Sequence, residues 1–343
     1  MEIKKFVNSK TLLFAGLLAT IIVMLLLLLR PKSKSGEDPS FGPLETPIIQ
    51  PINEVKQPSS QAAGFTTTSL PKNAKVYRQN AYSISEEQMV AIAQEFGLTQ
   101  SSFQGKLFIA QEEKKYFAVN PDNGIIFLTQ PLPDYLLNLN QQALENYALS
   151  LVKPTLLEEQ IWENPQVTTA YFKGEGAHDA FPGTPENATI AEVNIFPTID
   201  GIRIVGKNLK PLGDNAPVNV KYMKQEQVVT LRTSAISVNF AESGTYPLNS
   251  LDKISQQLSQ NQAVITSVIP EGRTAKDIGY GEILQPGSVE YADIKLVYYF
   301  DPNPDALMQP MYLLTGSTFL EDGVSAAVKA ILPAIDPQYL KSP

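Results

Sequence analysis

The run TLLFAGLLATIIVMLLLLL, residues 11–29, carries no charge and, apart from Gly16 and two threonines, consists of Leu, Ile, Val, Ala, Phe and Met. At 1.5 Å per residue in a helix, such a run covers about 28 Å, close to the hydrocarbon thickness of a bilayer. It therefore predicts a transmembrane helix over 11–29. Lys4, Lys5 and Lys10 precede it, and Arg30, Lys32 and Lys34 follow it. A cleaved secretory signal is the rival reading, and Ser33 and Ser35 before Gly36 imitate its small residues. Such signals have an apolar core of about 7 to 15 residues, and this one is longer and ends against basic residues. The basic counts on the two sides tie, but long domains cross largely regardless of charge. Residues 1–10 are thus expected to form a cytoplasmic tail, with the C-terminal body extracytoplasmic on a single-pass membrane protein.

Outward from the span, residues 30–72 hold Pro31, Pro39, Pro43, Pro47, Pro51, Pro58 and Pro71 among Ser, Gln, Thr and Gly. Without a sustained apolar period, such a segment is expected to form a Pro-rich flexible linker, because it buries too little to offset its ordering entropy.

Eight of the 27 Lys and Arg and five of the 35 Asp and Glu lie before residue 73, which leaves the body 19 basic against 30 acidic residues. Nucleic-acid affinity rests on Lys and Arg neutralising phosphates, so nucleic acid is not an expected partner. Cysteine is absent, which excludes disulfides, thiolate metal sites, a Cys nucleophile and a lipidated cysteine anchor. The body must hold together by packing alone.

The body begins near Asn73. Ser85 with Gln88 fits a capping box, Met89, Ile92, Ala93 and Phe96 share one helical face, and Gly97 supplies a stop, so a helix is predicted over 86–96. Short apolar runs at 106–110, 116–119 and 125–129 read as antiparallel strands, the last two joined by the turn Pro121-Asp122-Asn123-Gly124. Asn140 caps a second helix carrying Leu144, Tyr147, Ala148 and Leu151, and Thr155 with Glu158 suggests a short helix through Trp162. Strand signals follow at 167–172, 190–196, 202–205, 218–223 and 228–231, with a hairpin turn at 197–201. A third helix starts at Asn249 or Ser250, followed by strands at 263–268, 291–300, 311–314 and 324–331. Helix followed by strands recurs, which predicts an α+β body of repeated helix-plus-antiparallel-sheet modules, the first over 73–165 and the second over 166–343.

The succession Ile199-Asp200-Gly201-Ile202-Arg203-Ile204-Val205-Gly206, then Val228-Val229-Thr230-Leu231 and Tyr246-Pro247-Leu248, resembles the YycH/YycI-type regulatory proteins. Ile294 to Tyr299, Gln309-Pro310-Met311-Tyr312 and Ala327 to Ile331 continue that pattern. The resemblance covers roughly residues 190–332, and more faintly 74–130. It implies one membrane helix, PepSY-like modules outside the cell, and restraint of a cell-wall sensor kinase.

Catalytic constellations are weak. Ser250-Leu251-Asp252-Lys253 matches S-x-x-K, but Ser237-Val238-Asn239 lies before rather than after it, and a helix cap explains Ser250. His178 is the sole histidine and lies near Glu175 and Asp179, a set that exposed polar loops produce by chance. Asp301-Pro302-Asn303-Pro304-Asp305 lacks a calcium-loop pattern and reads as a rigid turn. Asn187-Ala188-Thr189 matches a glycosylation acceptor. No residue is assigned a catalytic, cofactor-binding or metal role, and no cofactor is expected. The expected function is a non-enzymatic binding or regulatory ectodomain acting on an envelope protein through sheet edges or aromatic faces around Tyr298, Tyr299 and Tyr312. The alternatives are an envelope hydrolase or peptidoglycan-binding enzyme, and a structural subunit of a secretion or pilus assembly.

Overall fold

The computed structural model describes residues 41–47, 49, 58–65, 70–80, 84–155, 160–174, 181–206, 216–273, 284–301, 303 and 306–341. In chain order, Ser60–Ala62 (β1) and Asn73–Gln79 (β2) precede helix α1, Glu86–Glu95. The predicted capping box starts that helix: Ser85 Oγ accepts from Gln88 N at 3.2 Å, and Gln88 Oε1 accepts from Ser85 N at 2.8 Å. A meander follows, Ser101–Gln104 (β3), Leu107–Glu112 (β4), Lys115–Asn120 (β5) and Ile125–Pro131 (β6). Helix α2, Gln141–Val152, begins at Asn140, whose Oδ1 accepts from Ala143 N at 3.1 Å. Then come Gln166–Lys173 (β7), Phe181–Pro182 (β8), Ile190–Phe196 (β9), Thr198–Ile199 (β10), Ile202–Gly206 (β11), Val218–Met223 (β12), Val228–Ser234 (β13) and Val238–Pro247 (β14). Helix α3, Leu251–Ser259, leads to Val264–Pro270 (β15), Val289–Phe300 (β16), Leu307–Phe319 (β17) and Ser325–Pro333 (β18).

These strands assemble into two nine-stranded sheets. The first runs β3-β4-β5-β6-β13-β12-β9-β7-β8 and is antiparallel throughout. Its inner face, with Phe108, Phe117, Ile126, Leu128, Val193, Val220 and Leu231, shares one core with Met89, Ile92 and Phe96 of the α1 region and Leu144, Ala148 and Leu151 of α2. Tyr222 is wholly buried there, and its hydroxyl donates to Leu144 O at 2.6 Å, tying α2 to the sheet.

The second sheet follows β10-β11-β16-β17-β18-β15, with β1 along β16 and with β2 bonded to both β14 and β17. Both β1 and β11 run parallel to β16. Ile254 and Leu258 of α3 pack on its Tyr312, Leu314, Val328 and Ala330. The alternate residues Met311 and Leu313 lie on the opposite face, where they join Phe196, Val205, Val297 and Tyr299. Phe196 ends β9 of the first sheet, and after Pro197 the chain continues as the β10–β11 hairpin of the second. Asp200 (φ 51°) and Gly201 (φ 76°) supply the two left-handed residues that such a two-residue turn needs.

The expected α+β repeat of helix-plus-sheet modules is overturned by this architecture. Strands dominate the described residues, which hold three α-helices, and β6 continues the first meander not into a module of its own but onto β13, some hundred residues later. The reason is physical: apolar period shows which residues are extended, but ladder partners are set by non-local pairing. Residues 11–29 lie outside the described residues, and among the described residues no helix is long and apolar enough to cross a membrane. The linker expectation also needs correction where it is described. Leu44 is 2% exposed and forms a parallel bridge with Leu340. Its N–H donates to Tyr339 O, and its carbonyl accepts from Lys341 N, both at 2.8 Å. Tyr246 Oη donates to Gly42 O at 3.0 Å, Gln309 Nε2 donates to Glu45 O at 2.8 Å, and β1 adds to β16. Residues 41–47 are therefore a strap built into the second sheet's body. Composition missed it because isolated apolar residues such as Phe41, Leu44 and Phe65 reach that sheet's core although their polar neighbours do not.

Two outcomes follow from this packing. At Gly316, opposite Tyr291 in the β16–β17 ladder, a Cβ would collide with Glu290 O and lie 2.9 Å from Tyr291 Cα. Gly316→Ala should cost about 1–3 kcal/mol, as overpacking does, read as a lower denaturant midpoint. Burial raises the Tyr291 hydroxyl to about 12 and also lifts Tyr222, Tyr298, Tyr299 and Tyr312 above the ordinary tyrosine range. The folded state then holds protons that the unfolded chain releases near 10. Unfolding free energy should be fully retained below pH ~10 and fall steadily from there toward pH ~12 and beyond, as denaturant titrations across that range would record.

Candidate functional site

Strands of a half-solvated antiparallel sheet normally alternate apolar and polar residues. Three strands of the first sheet do not: Leu107-Phe108-Ile109-Ala110, Tyr116-Phe117-Ala118-Val119 and Ile125-Ile126-Phe127-Leu128 are apolar at every position. One set, Phe108, Ala110, Phe117, Val119, Ile126 and Leu128, meets the helices. The other set, Leu107, Ile109, Tyr116, Ala118, Ile125 and Phe127, must then point away from them. On that outer face Leu107 and Phe127 are 38% and 37% exposed. With Tyr116, Ala118, Asn120 and Ile125 they line an open cleft of about 420 Å³. The Tyr116 and Phe127 rings meet edge to face, with centroids 6.2 Å apart.

The cross-strand register places this cleft at the end of a graded row. Ala118 faces Phe127, Phe127 faces Arg232, Arg232 faces Asn219, and Asn219 faces Asn194. Directly opposite residues share a face, so the apolar cleft gives way to a guanidinium and then to a buried amide pair, in which Asn219 Nδ2 donates to Asn194 Oδ1 at 2.9 Å. Arg232 is half-buried, and burial lowers its guanidinium from its usual value. Its side chain has no hydrogen-bond or ion-pair partner among the described residues, whereas Lys106 at the cleft's rim pairs with Asp122 at 2.8 Å. The free edge of the sheet, β3, is exposed at all four residues. The arrangement can hold an apolar segment laid across the face; it offers no nucleophile and base in mutual reach.

The residues singled out from sequence are placed elsewhere. Ser250 caps α3, its Oγ accepting from Lys253 N at 3.4 Å, and the Lys253 ammonium is engaged by Asp336 rather than by Ser250. Glu175, His178 and Asp179 lie outside the described residues, as do Pro302, Pro304 and Asp305. Asp301 Oδ1 accepts from Asn303 N at 3.1 Å, as expected of a turn. Asn187 is exposed, but Thr189 of the same tripeptide donates its hydroxyl to Gly174 O at 2.8 Å. Tyr298, Tyr299 and Tyr312, expected on a partner face, are only 2%, 3% and 0% exposed. They are core residues: the Tyr312 hydroxyl donates to Asn249 O at 2.9 Å, and Tyr298 stacks edge-on with Tyr77. The unbroken apolar runs over 107–110, 116–119 and 125–128 were the signal for the outer-face cleft.

No family model matches the chain, and no curated protein matches it. It is similar to a crystal structure of an uncharacterized protein from Eubacterium rectale, at 10% identity and a TM-score of 0.43, over 83% of this chain and 90% of that one.

The two faces should respond differently to truncation. Phe127→Ala, on the open face, should change stability by less than about 1 kcal/mol. Its neighbour Leu128→Ala, facing the helices, should cost about 2–5 kcal/mol through the cavity it leaves. Equilibrium urea unfolding of the two variants checks the assignment.

Proposed function

We propose that the chain is a single-pass, membrane-anchored extracytoplasmic binding protein that holds an envelope or membrane protein against the outer face of its first sheet. The anchor is the uncharged run 11–29, and the acidic balance of the body speaks against a phosphate backbone as the partner. The observation that carries the reading is the open apolar cleft of Leu107, Tyr116, Ile125 and Phe127 on the sheet's outer face. Anchoring raises the local concentration of such a face toward other membrane proteins, so a modest intrinsic affinity suffices. A sensor kinase is the partner class that the YycH/YycI resemblance implies.

A photo-reactive residue placed at position 127 of the full-length chain in intact cells should yield one stoichiometric adduct with an envelope protein. The same probe at Tyr135, which is 63% exposed and stacks on Tyr147 of α2 on the helix side, should not yield it. Equal adducts from both positions, or none from either, would overturn the docking face. Release of the full-length chain from vesicles by carbonate would overturn the anchor.

A further inference from the structure

Resting on that docking reading, we infer that the partner contributes an apolar peptide segment bearing a carboxylate, which Arg232 grips beside the cleft. Arg232 stands directly across from Phe127 on the outer face, so whatever fills the cleft reaches the guanidinium within one side chain's length. The groups directly beside it are neutral, and the charged pair nearest on this face is buried: Lys221, opposite Thr230 and diagonal to Arg232, faces Glu192. Asn219 lies across the next strand, and its amide is committed to Asn194. Thr230, two residues along on the same strand and face, is uncharged. The nearest acid on the cleft's rim, Asp122, is paired with Lys106. A half-buried guanidinium that pairs with no described residue and stands at the edge of an apolar cleft is a poor device for packing and a good one for recognition. Its planar fork takes a carboxylate through two parallel hydrogen bonds, while the cleft accepts the flanking aliphatic or aromatic side chain. Discrimination follows, since an apolar segment lacking the acid desolvates the half-buried charge further without compensating it.

The test uses the full-length chain in lipid nanodiscs against an array of random octapeptides. Binders should be enriched in Asp or Glu next to an apolar residue. The affinity of a selected acidic binder should fall about tenfold or more when its acid is changed to the amide, and by a similar factor in Arg232→Gln. Arg232→Lys should recover part of the loss, and rising salt should erode the preference. Thermal unfolding of both variants, expected to match the parent because Arg232 has no partner among the described residues, separates lost recognition from lost fold. Binders selected without any acidic enrichment would overturn the carboxylate partner and leave the docking face standing. Binding no better than that of Phe127→Ser would overturn the docking face itself. Concentration-dependent dimerisation of the parent, abolished by Phe127→Ser, would give the face to a second copy of the chain and overturn the peptide partner.

Discussion

The ladder between β6 and β13 joins Ile125–Pro131 to Val228–Ser234 over seven consecutive pairs, and the first sheet depends on it. It welds the early meander to the strands that follow α2, so that one helical layer covers seven of the nine strands, all but β3 and β8. It also fixes parity. Ile126 and Leu128 align with Thr233 and Leu231 toward the helices, while Phe127 aligns with Arg232 away from them. A slip of one residue would send Phe127 into the helical core and Leu128 into water, which is why a register buried on one side is strongly specified.

That same parity explains why the outer face grades from apolar to polar. Toward β9 the sheet is closed by the second body of strands, through the contacts of Phe196 with Val297, Tyr299, Met311 and Leu313. Toward β3 the described residues leave Leu107 and Phe127 partly open. Arg232 stands at the border, where desolvation is partial and a guanidinium keeps its charge.

Local features were legible in the sequence wherever local chemistry determines them. The caps at Ser85, Asn140 and Ser250 start the three helices as their hydroxyl or amide groups require, and the turns at 121–124 and 200–201 close hairpins. Several strands were legible to within two or three residues, β9 and β12 among them. Illegible elements were those whose structure is set by distant partners. β14 contains Glu242, Ser243 and Gly244 and changes register against β2 between Asn239 and Ser243, so it shows no clean alternation. Glu158, the other half of the Thr155 capping pair, lies outside the described residues; the Thr155 hydroxyl donates back to Val152 O at 2.7 Å, and a 3-10 turn follows at Gln160–Trp162. Tyr298, Tyr299 and Tyr312 fit by sequence either an aromatic partner face or half-buried strand packing, and the structure closes both faces over them. The docking cleft was half legible: unbroken apolar runs announce strands with two dry faces, but not which face lacks a cover.

The strap of residues 41–47 has a mechanical meaning. Its bonds to Tyr339, Lys341, Gln309 and Tyr246 put the chain's entry into the body beside its C-terminal end. Tension pulling on the polypeptide upstream of Phe41 would be carried into the second sheet by several hydrogen bonds loaded together and by the buried Leu44. While that clasp holds, strain bypasses the segment leading to β2 and α1, and the first sheet with its open cleft stays unstressed.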